Sequence, residues 1–249
     1  MSLSEEYARQ FGHRSWQQIM AALPPIAGRV VLDLGCNIGD QAAELSARGA
    51  FVIGIDSNAE LLATARGRAI ANARFMSGDL TQPLAVDCAV DGIWASFAAA
   101  YFPELTTVLT AWQRHLKPGG FIALTEIDDL FGHEPLEPES KALLSAYARD
   151  AEARGRYDFH MGHKLRAHLE SADFEVSQAF TVADREFCGE GPVDADVLSG
   201  WASRFERMTA LQRFCGAQFD DLRRDFLGAL ANPEHRSATT VHCCIAMRK

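Results

Sequence analysis

Residues 30–39 read Val30-Val31-Leu32-Asp33-Leu34-Gly35-Cys36-Asn37-Ile38-Gly39, a short apolar run that carries a carboxylate and drops into a glycine loop. Val30 to Leu34 has the length and β-branching of a strand buried on both faces. Gly35 and Gly39 let the backbone approach a ligand closely before a helix begins near Asp40. The pattern is the entrance to a nucleotide-type cofactor site. The dinucleotide fingerprint Gly-x-Gly-x-x-Gly fits it poorly, because its second and third glycines are missing. Alone, the loop is equally compatible with an ordinary glycine turn in an α/β domain.

The features that follow narrow the reading. Ala50 to Asp56 is a second apolar strand closed by an acid about 20 residues beyond the loop, where such a fold places a ribose-binding carboxylate. The same Asp56 could instead cap the next helix. Phe75-Met76-Ser77-Gly78-Asp79-Leu80 is a short strand ending in a third acid, or an ordinary Gly-Asp turn. Asp91 to Phe97 is a fourth strand, followed by Ala98-Ala99-Ala100-Tyr101-Phe102-Pro103-Glu104. Leu116-Lys117-Pro118-Gly119-Gly120 is a turn, and Phe121 to Glu126 is a buried strand.

These blocks, in this order, resemble the class I S-adenosylmethionine (SAM) dependent methyltransferases, and in particular the ubiquinone/menaquinone-pathway type of small-molecule enzyme. The family's first motif is an apolar strand with Asp or Glu, an apolar residue, then Gly-x-Gly-x-Gly. Asn37 stands where the middle glycine is usual, and Asn tolerates positive φ better than other non-glycine residues. The resemblance implies an α/β, Rossmann-like, seven-stranded, mostly parallel sheet with an antiparallel last strand, helices on both faces and helical cap insertions. It extends to His163–Val176, matching the last long helix and strand six, and to Thr239–Met247, matching the final antiparallel strand. It implies SAM as cofactor, S-adenosylhomocysteine as product, and a cofactor site at Asp33, Gly35, Cys36, Asn37, Gly39, Asp56, Ser57, Asp79, Leu80, Ser96 and Phe97. Many relatives carry histidine where this chain has Ala100, which leaves Tyr101 as the nearest polar candidate for catalysis and His133 as a loop base.

Composition agrees with one α/β domain over 1–249. The chain has 249 residues, 24 basic and 33 acidic side chains and a formal charge of −9, which opposes wrapping a nucleic-acid backbone or an anionic membrane. Six cysteines lack metal-type spacing, and adjacent Cys243 and Cys244 are expected on opposite faces of a strand. No signal pattern and no bilayer-length apolar stretch is visible, so a cytoplasmic protein, monomeric or homodimeric, is expected. His160 and His163 share a helical spacing, which reads more simply as a surface pair than as metal ligands.

Three segments lie outside the core. Residues 4–22 form a helical stretch bearing Tyr7, Phe11, Trp16 and Ile19, either a lid over the cofactor or a docking helix. Residues 128–161 contain a helix that Ser140 can cap, with Leu143, Leu144, Tyr147 and Ala151 at helical spacing. Residues 194–231 step Val197, Trp201, Phe205, Met208, Leu211, Leu222, Phe226 and Leu230 by mostly three or four. The last two segments are expected either to pack on the core or to cap the methyl acceptor, or both. Asp128 and Asp129 either orient an acceptor or form a solvated turn.

A sulfonium methyl is already activated, so alignment and exclusion of water are the expected means of catalysis. The expected reaction is transfer to an O, N or C atom of a small molecule. Ser96-Phe97-Ala98-Ala99 is unlike the Asn/Asp-Pro-Pro-aromatic motif of amino-directed DNA enzymes, and no Pro-Cys pair of the cytosine-C5 type occurs. Protein or RNA methylation, or a catalytically silent SAM-binding partner, are the alternatives.

Overall fold

The computed structural model describes residues 3–249, so Met1 and Ser2 of the expected 1–249 domain lie outside the described residues. The chain begins with helices α1 (Leu3–Phe11) and α2 (Trp16–Ala22), where a single helical stretch was expected. The break has a local cause. Gly12 and His13 close turns onto Arg9 and Gln10, and Ser15 donates its N–H to the Ala183 carbonyl at 3.0 Å, pulling residues 12–15 out of the helical path.

A β-α alternation follows, broken only where β3 runs to β4 without a helix: β1 (Val30–Leu34), α3 (Asp40–Ala47), β2 (Phe51–Asp56), α4 (Ala59–Gly67), β3 (Ala73–Ser77), β4 (Val90–Ser96), α5 (Leu105–Gln113) and β5 (Leu116–Asp128). The expected Pro-Gly-Gly turn is absorbed into the start of β5, where Gly119 takes φ +72° and the pairing with β4 shifts register between Val90 and Gly92. Then come β6 (His133–Glu134), α6 (Pro138–Ala153), α7 (Met161–Ser171), β7 (Phe174–Val182), α8 (Ala195–Arg207), α9 (Thr209–Cys215), α10 (Phe219–Leu230), β8 (Arg236–Ser237) and β9 (Thr240–Arg248). α6 starts two residues before the expected Ser140 cap. Glu137 is its N-cap and Pro138, with φ already set for a helix, opens it, while Ser140 is buried in the first turn.

The main sheet has seven strands in the order β3-β2-β1-β4-β5-β9-β7. β1 pairs in parallel with β2 and β4, as do β2 with β3 and β4 with β5, whereas β9 is antiparallel to both β5 and β7. Both faces are covered, and the strands alternate between two cores. Val31, Val52, Trp94, Ala123, Cys243 and Ile245 face one, and Leu32, Ile53, Ile93, Ile122, Cys244 and Ala246 the other. Cys243 and Cys244 therefore point to opposite faces. A two-stranded ribbon, β6 with β8, lies apart from the main sheet.

α6, α8, α9 and α10 join the first core. Leu144, Tyr147, Ala151, Val197, Trp201, Phe205, Leu211, Leu222, Phe226 and Leu230 are all buried there. Trp201 and Phe226 rings lie 4.9 Å apart and Phe205 and Phe226 5.1 Å, so one aromatic cluster locks α8 to α10. Among the described residues, no helix is long and apolar enough to cross a membrane.

Candidate functional site

Strand order reverses between β1 and β4, the position at which open α/β sheets leave a crevice beyond their carboxyl ends. A cavity of about 750 Å³ opens there, lined by the residues after β1, β2 and β4 and by side chains from α1, α6 and α8. Gly35 (φ +79°), Asn37 (φ +48°) and Gly39 (φ +82°) all turn through the left-handed region, which explains two glycines and an asparagine at these places. At Gly39 a Cβ atom would sit 3.0 Å from the Phe75 ring. Gly35 and Cys36 donate their N–H groups to the Ile55 carbonyl at 2.8 and 3.2 Å, so the loop is tied to the end of β2. Asn37 closes the loop on itself by donating Nδ2 to the Gly35 carbonyl at 3.0 Å.

Asp56 is placed at the end of β2, lining the cavity. Its carboxylate accepts the N–H of Asn37 at 2.9 Å and of Asn58 at 2.8 Å. The cap of α4 is Asn58, whose side chain accepts from Glu60 and Leu61 N–H, so Asp56 is not that cap. Ser57, Ser96 and Phe97 also line the cavity, and Ser96 Oγ is buried with no hydrogen-bond partner.

The remaining cofactor candidates divide. Asp33, on β1, and Cys36, within the loop, are buried and are not among the residues lining the cavity. Burial, then the nearby Asp56 charge, pushes the Asp33 carboxyl up to about 8, and burial raises the Cys36 thiol. The Cys36 sulfur lies 2.9 Å from where a Cβ on Gly54 would stand, so it fills space between β1 and β2. Asp79 and Leu80 are not among the residues around the cavity. The Asp79 carboxylate closes a turn on Thr81, accepting its N–H at 2.9 Å and its hydroxyl at 2.7 Å, contacts that hold its pKa down. Leu80 packs against the second core.

Tyr101 is in the cavity and His133 is not. Tyr101 leaves 60% of its surface open but faces a concave wall, with Tyr157 edge-on at 4.8 Å; burial among these groups pushes its phenol up to about 12. His133 is drawn away by the β6–β8 ribbon. It is fully enclosed by Trp201, Phe226 and His235, with its Nδ1 3.0 Å from His235 Nε2, and burial lowers its pKa to about 3. Asp128 and Asp129 also stand outside this cavity. Asp128 pairs with His163 at 2.7 Å, and among the described residues no group of three His, Cys, Asp or Glu side chains is arranged to hold a metal.

Several lining residues carried no sequence signal as site residues. Arg14 spans Asp184 (3.0 Å) and Glu186 (3.2 Å) and lies over the Phe97 ring at 4.5 Å, while Arg204 reaches Glu186 at 2.6 Å. These partners are separated by up to 172 residues along the chain. Outside the cavity lining, Glu126 is wholly buried and accepts the N–H of Ala100 at 3.1 Å and of Ile127 at 3.0 Å. Burial pushes its carboxyl up to about 7. It thereby pins the short 3₁₀ turn Ala99–Tyr101 that presents Tyr101.

Comparison with known proteins matches residues 31–120 to a family described as a methyltransferase domain, the stretch that contains the glycine loop, Asp56 and β4. Residues 31–120 thus match a methyltransferase domain, about a third of the chain. The chain is 33% identical over 110 residues to the trans-aconitate 2-methyltransferase of Deinococcus radiodurans, covering 43% of this chain and 42% of that protein. It is 28% identical over 230 residues to the trans-aconitate 2-methyltransferase of Delftia acidovorans, covering 86% and 81%. The first of these alignments thus spans less than half of the relative. The SAM-dependent methyltransferase of Mesorhizobium loti shares this chain's fold with a TM-score of 0.56, at 18% identity over 94% of this chain and 97% of that one.

Proposed function

We propose that this chain transfers a methyl group from SAM to an O, N or C atom of a small-molecule acceptor, releasing S-adenosylhomocysteine. The observation that carries this reading is the convergence of Gly35 and Asn37 of the glycine loop, the Asp56 carboxylate and the unpartnered Ser96 hydroxyl on one cavity. These residues fit the cofactor. Asp56 offers a carboxylate to the ribose hydroxyls, Gly35 leaves its side-chain space open, with a Cβ there no closer than 3.7 Å to Ala98, and Ser96 Oγ is a free buried hydroxyl. Bound there, the cofactor supplies an activated methyl group. The chain's part is to orient the acceptor against it and keep water away.

In this reading segments 128–161 and 194–231 form the acceptor cap of a single domain, and residues 4–22 lie across it as a lid. Tyr101 donates a hydrogen bond to the acceptor, and His133 belongs to the packing of the cap. The −9 charge favours a small molecule over a nucleic acid, and the six free cysteines favour a reducing, cytoplasmic setting. We place the chain as a monomer or homodimer.

Calorimetric titration with SAM and S-adenosylhomocysteine tests the assignment. Asp56→Ala is expected to weaken binding at least tenfold, about 1.4 kcal/mol or more. Unchanged affinity in that variant, or quenching of NADH fluorescence by the parent chain, would remove the cofactor site from this place.

A further inference from the structure

Away from the glycine loop, the cavity is walled by Tyr7, Tyr101, Tyr147, Tyr157, Arg14 and Arg204. Burial pushes all four phenols up from their ordinary value, so each keeps its proton at neutral pH and offers a hydroxyl donor. Arg204 donates Nη2 to Glu186, but its Nη1 is buried with no hydrogen-bond partner. A buried charged donor left in this state is costly, and an anionic oxygen is the partner it lacks.

The wall is correspondingly poor in bases. The carboxylates that line the cavity are held by donors: Asp40 by Arg68, Asp56 by the N–H groups of Asn37 and Asn58, and Glu6 by Arg207 and Gln10 through Oε1, its Oε2 being buried without a partner. No histidine is among the described lining residues. A phenol, an alcohol or an ammonium group must lose a proton before or during attack, and the described lining residues offer for this only carboxylates already held by cationic or N–H donors. An ionised carboxylic acid is nucleophilic as it stands.

Building on the methyl-transfer reading above, we infer that the acceptor is a carboxylic acid, that Arg204 Nη1 and the tyrosine hydroxyls hold its carboxylate, and that the product is a methyl ester. A carboxylate oxygen gives a lone pair to the new O–CH3 bond while the S–CH3 bond breaks and its electron pair stays on sulfur. The sulfonium charge and the carboxylate charge cancel in two neutral centres, and no proton is transferred. Arg14 and Arg204 are matched by Asp184 and Glu186, neither of which lines the cavity, so recognition rests on donor placement and not on net charge.

The full chain is tested with SAM against trans-aconitate, phenylacetate and benzoate, beside phenylacetamide, catechol and benzylamine. At least one acid is expected to acquire a methyl group that mild alkali releases as methanol, and to bind the chain loaded with S-adenosylhomocysteine. Arg204→Gln is expected to weaken that binding tenfold or more with the affinity for S-adenosylhomocysteine unchanged. Arg204→Lys, which keeps a charge beside Glu186 but loses the second nitrogen, is expected to do the same and guards against a folding artefact. The inference is overturned if catechol or benzylamine gains an alkali-stable methyl while the acids do not react. It is overturned equally if no acid reacts or binds, or if both Arg204 variants bind the acid as the parent does. Loss of S-adenosylhomocysteine binding by the parent would instead strike the methyl-transfer reading.

Discussion

The two sides of the cavity are assembled in different ways. Gly35, Asn37 and Asp56 are held by backbone hydrogen bonds within one β-α-β unit. On the opposite side, Arg14 meets Glu186 from 172 residues away and Arg204 from 18, and the three are held by side-chain ion pairs over an aromatic floor. The first arrangement is set by local conformation and tolerates changes elsewhere. The second depends on the packing of the helices that carry it, so the acceptor side can diverge while the cofactor side is kept.

The largest effect expected from breaking this contrast is at Trp201, which is fully buried with Phe226 and His133 around it. Trp201→Ala should cost about 3–5 kcal/mol of unfolding free energy in a denaturant titration. In the folded fraction, affinity for S-adenosylhomocysteine should stay within about threefold of the parent, a change below about 0.7 kcal/mol. A parallel loss of cofactor affinity would show that the two sides are not separable.

An intermediate effect is expected at Asp33 on the cofactor side. Its carboxyl rises from 3.8 to about 8 on folding, so its stabilising contribution is complete below about pH 4 and is lost as pH climbs through about 8. The parent should therefore lose on the order of a few kcal/mol between pH 5 and pH 9 that Asp33→Asn does not lose. Denaturant curves at both pH values check this, and identical pH slopes in the two chains would contradict it. The smallest effect is expected at Tyr101. With its phenol pushed up to about 12, it serves as a donor and not as a base, so Tyr101→Phe should lower kcat less than about tenfold, or roughly 1.4 kcal/mol. A thousandfold loss would make it a proton acceptor.

The same contrast governs what could be read from the sequence. Strands β1, β2, β4 and β5 show as apolar runs because both faces of each are covered, and the positive φ at Asn37 agrees with its residue type. The competing readings of Asp56 are separated by Asn58, a better-placed cap two residues on, which is visible in the sequence once both are weighed. Asp79 is harder, since an Asp followed two residues later by Thr closes its own turn and never reaches the cavity. His133 lies on a two-residue strand, too short for any periodicity, and its burial comes from β8 about a hundred residues later. Arg14 and Arg204 look like ordinary surface charges until the fold brings Asp184 and Glu186 between them.

The place of β9 has a bearing on how the protein is made. It follows β7 in the chain by more than fifty residues, yet lies between β5 and β7, and β7 is bonded into the sheet through it. On the ribosome, β1 to β5 can align as they emerge, but β7 must wait through the synthesis of α8, α9 and α10 before its partner exists. During that interval the exposed edge of β5 is open to pairing with a neighbouring chain. Arrival of β9 fills that edge and bonds β7 to the sheet in a single insertion, so the acceptor-side helices, threaded between β7 and β9, are secured only when β9 is in place.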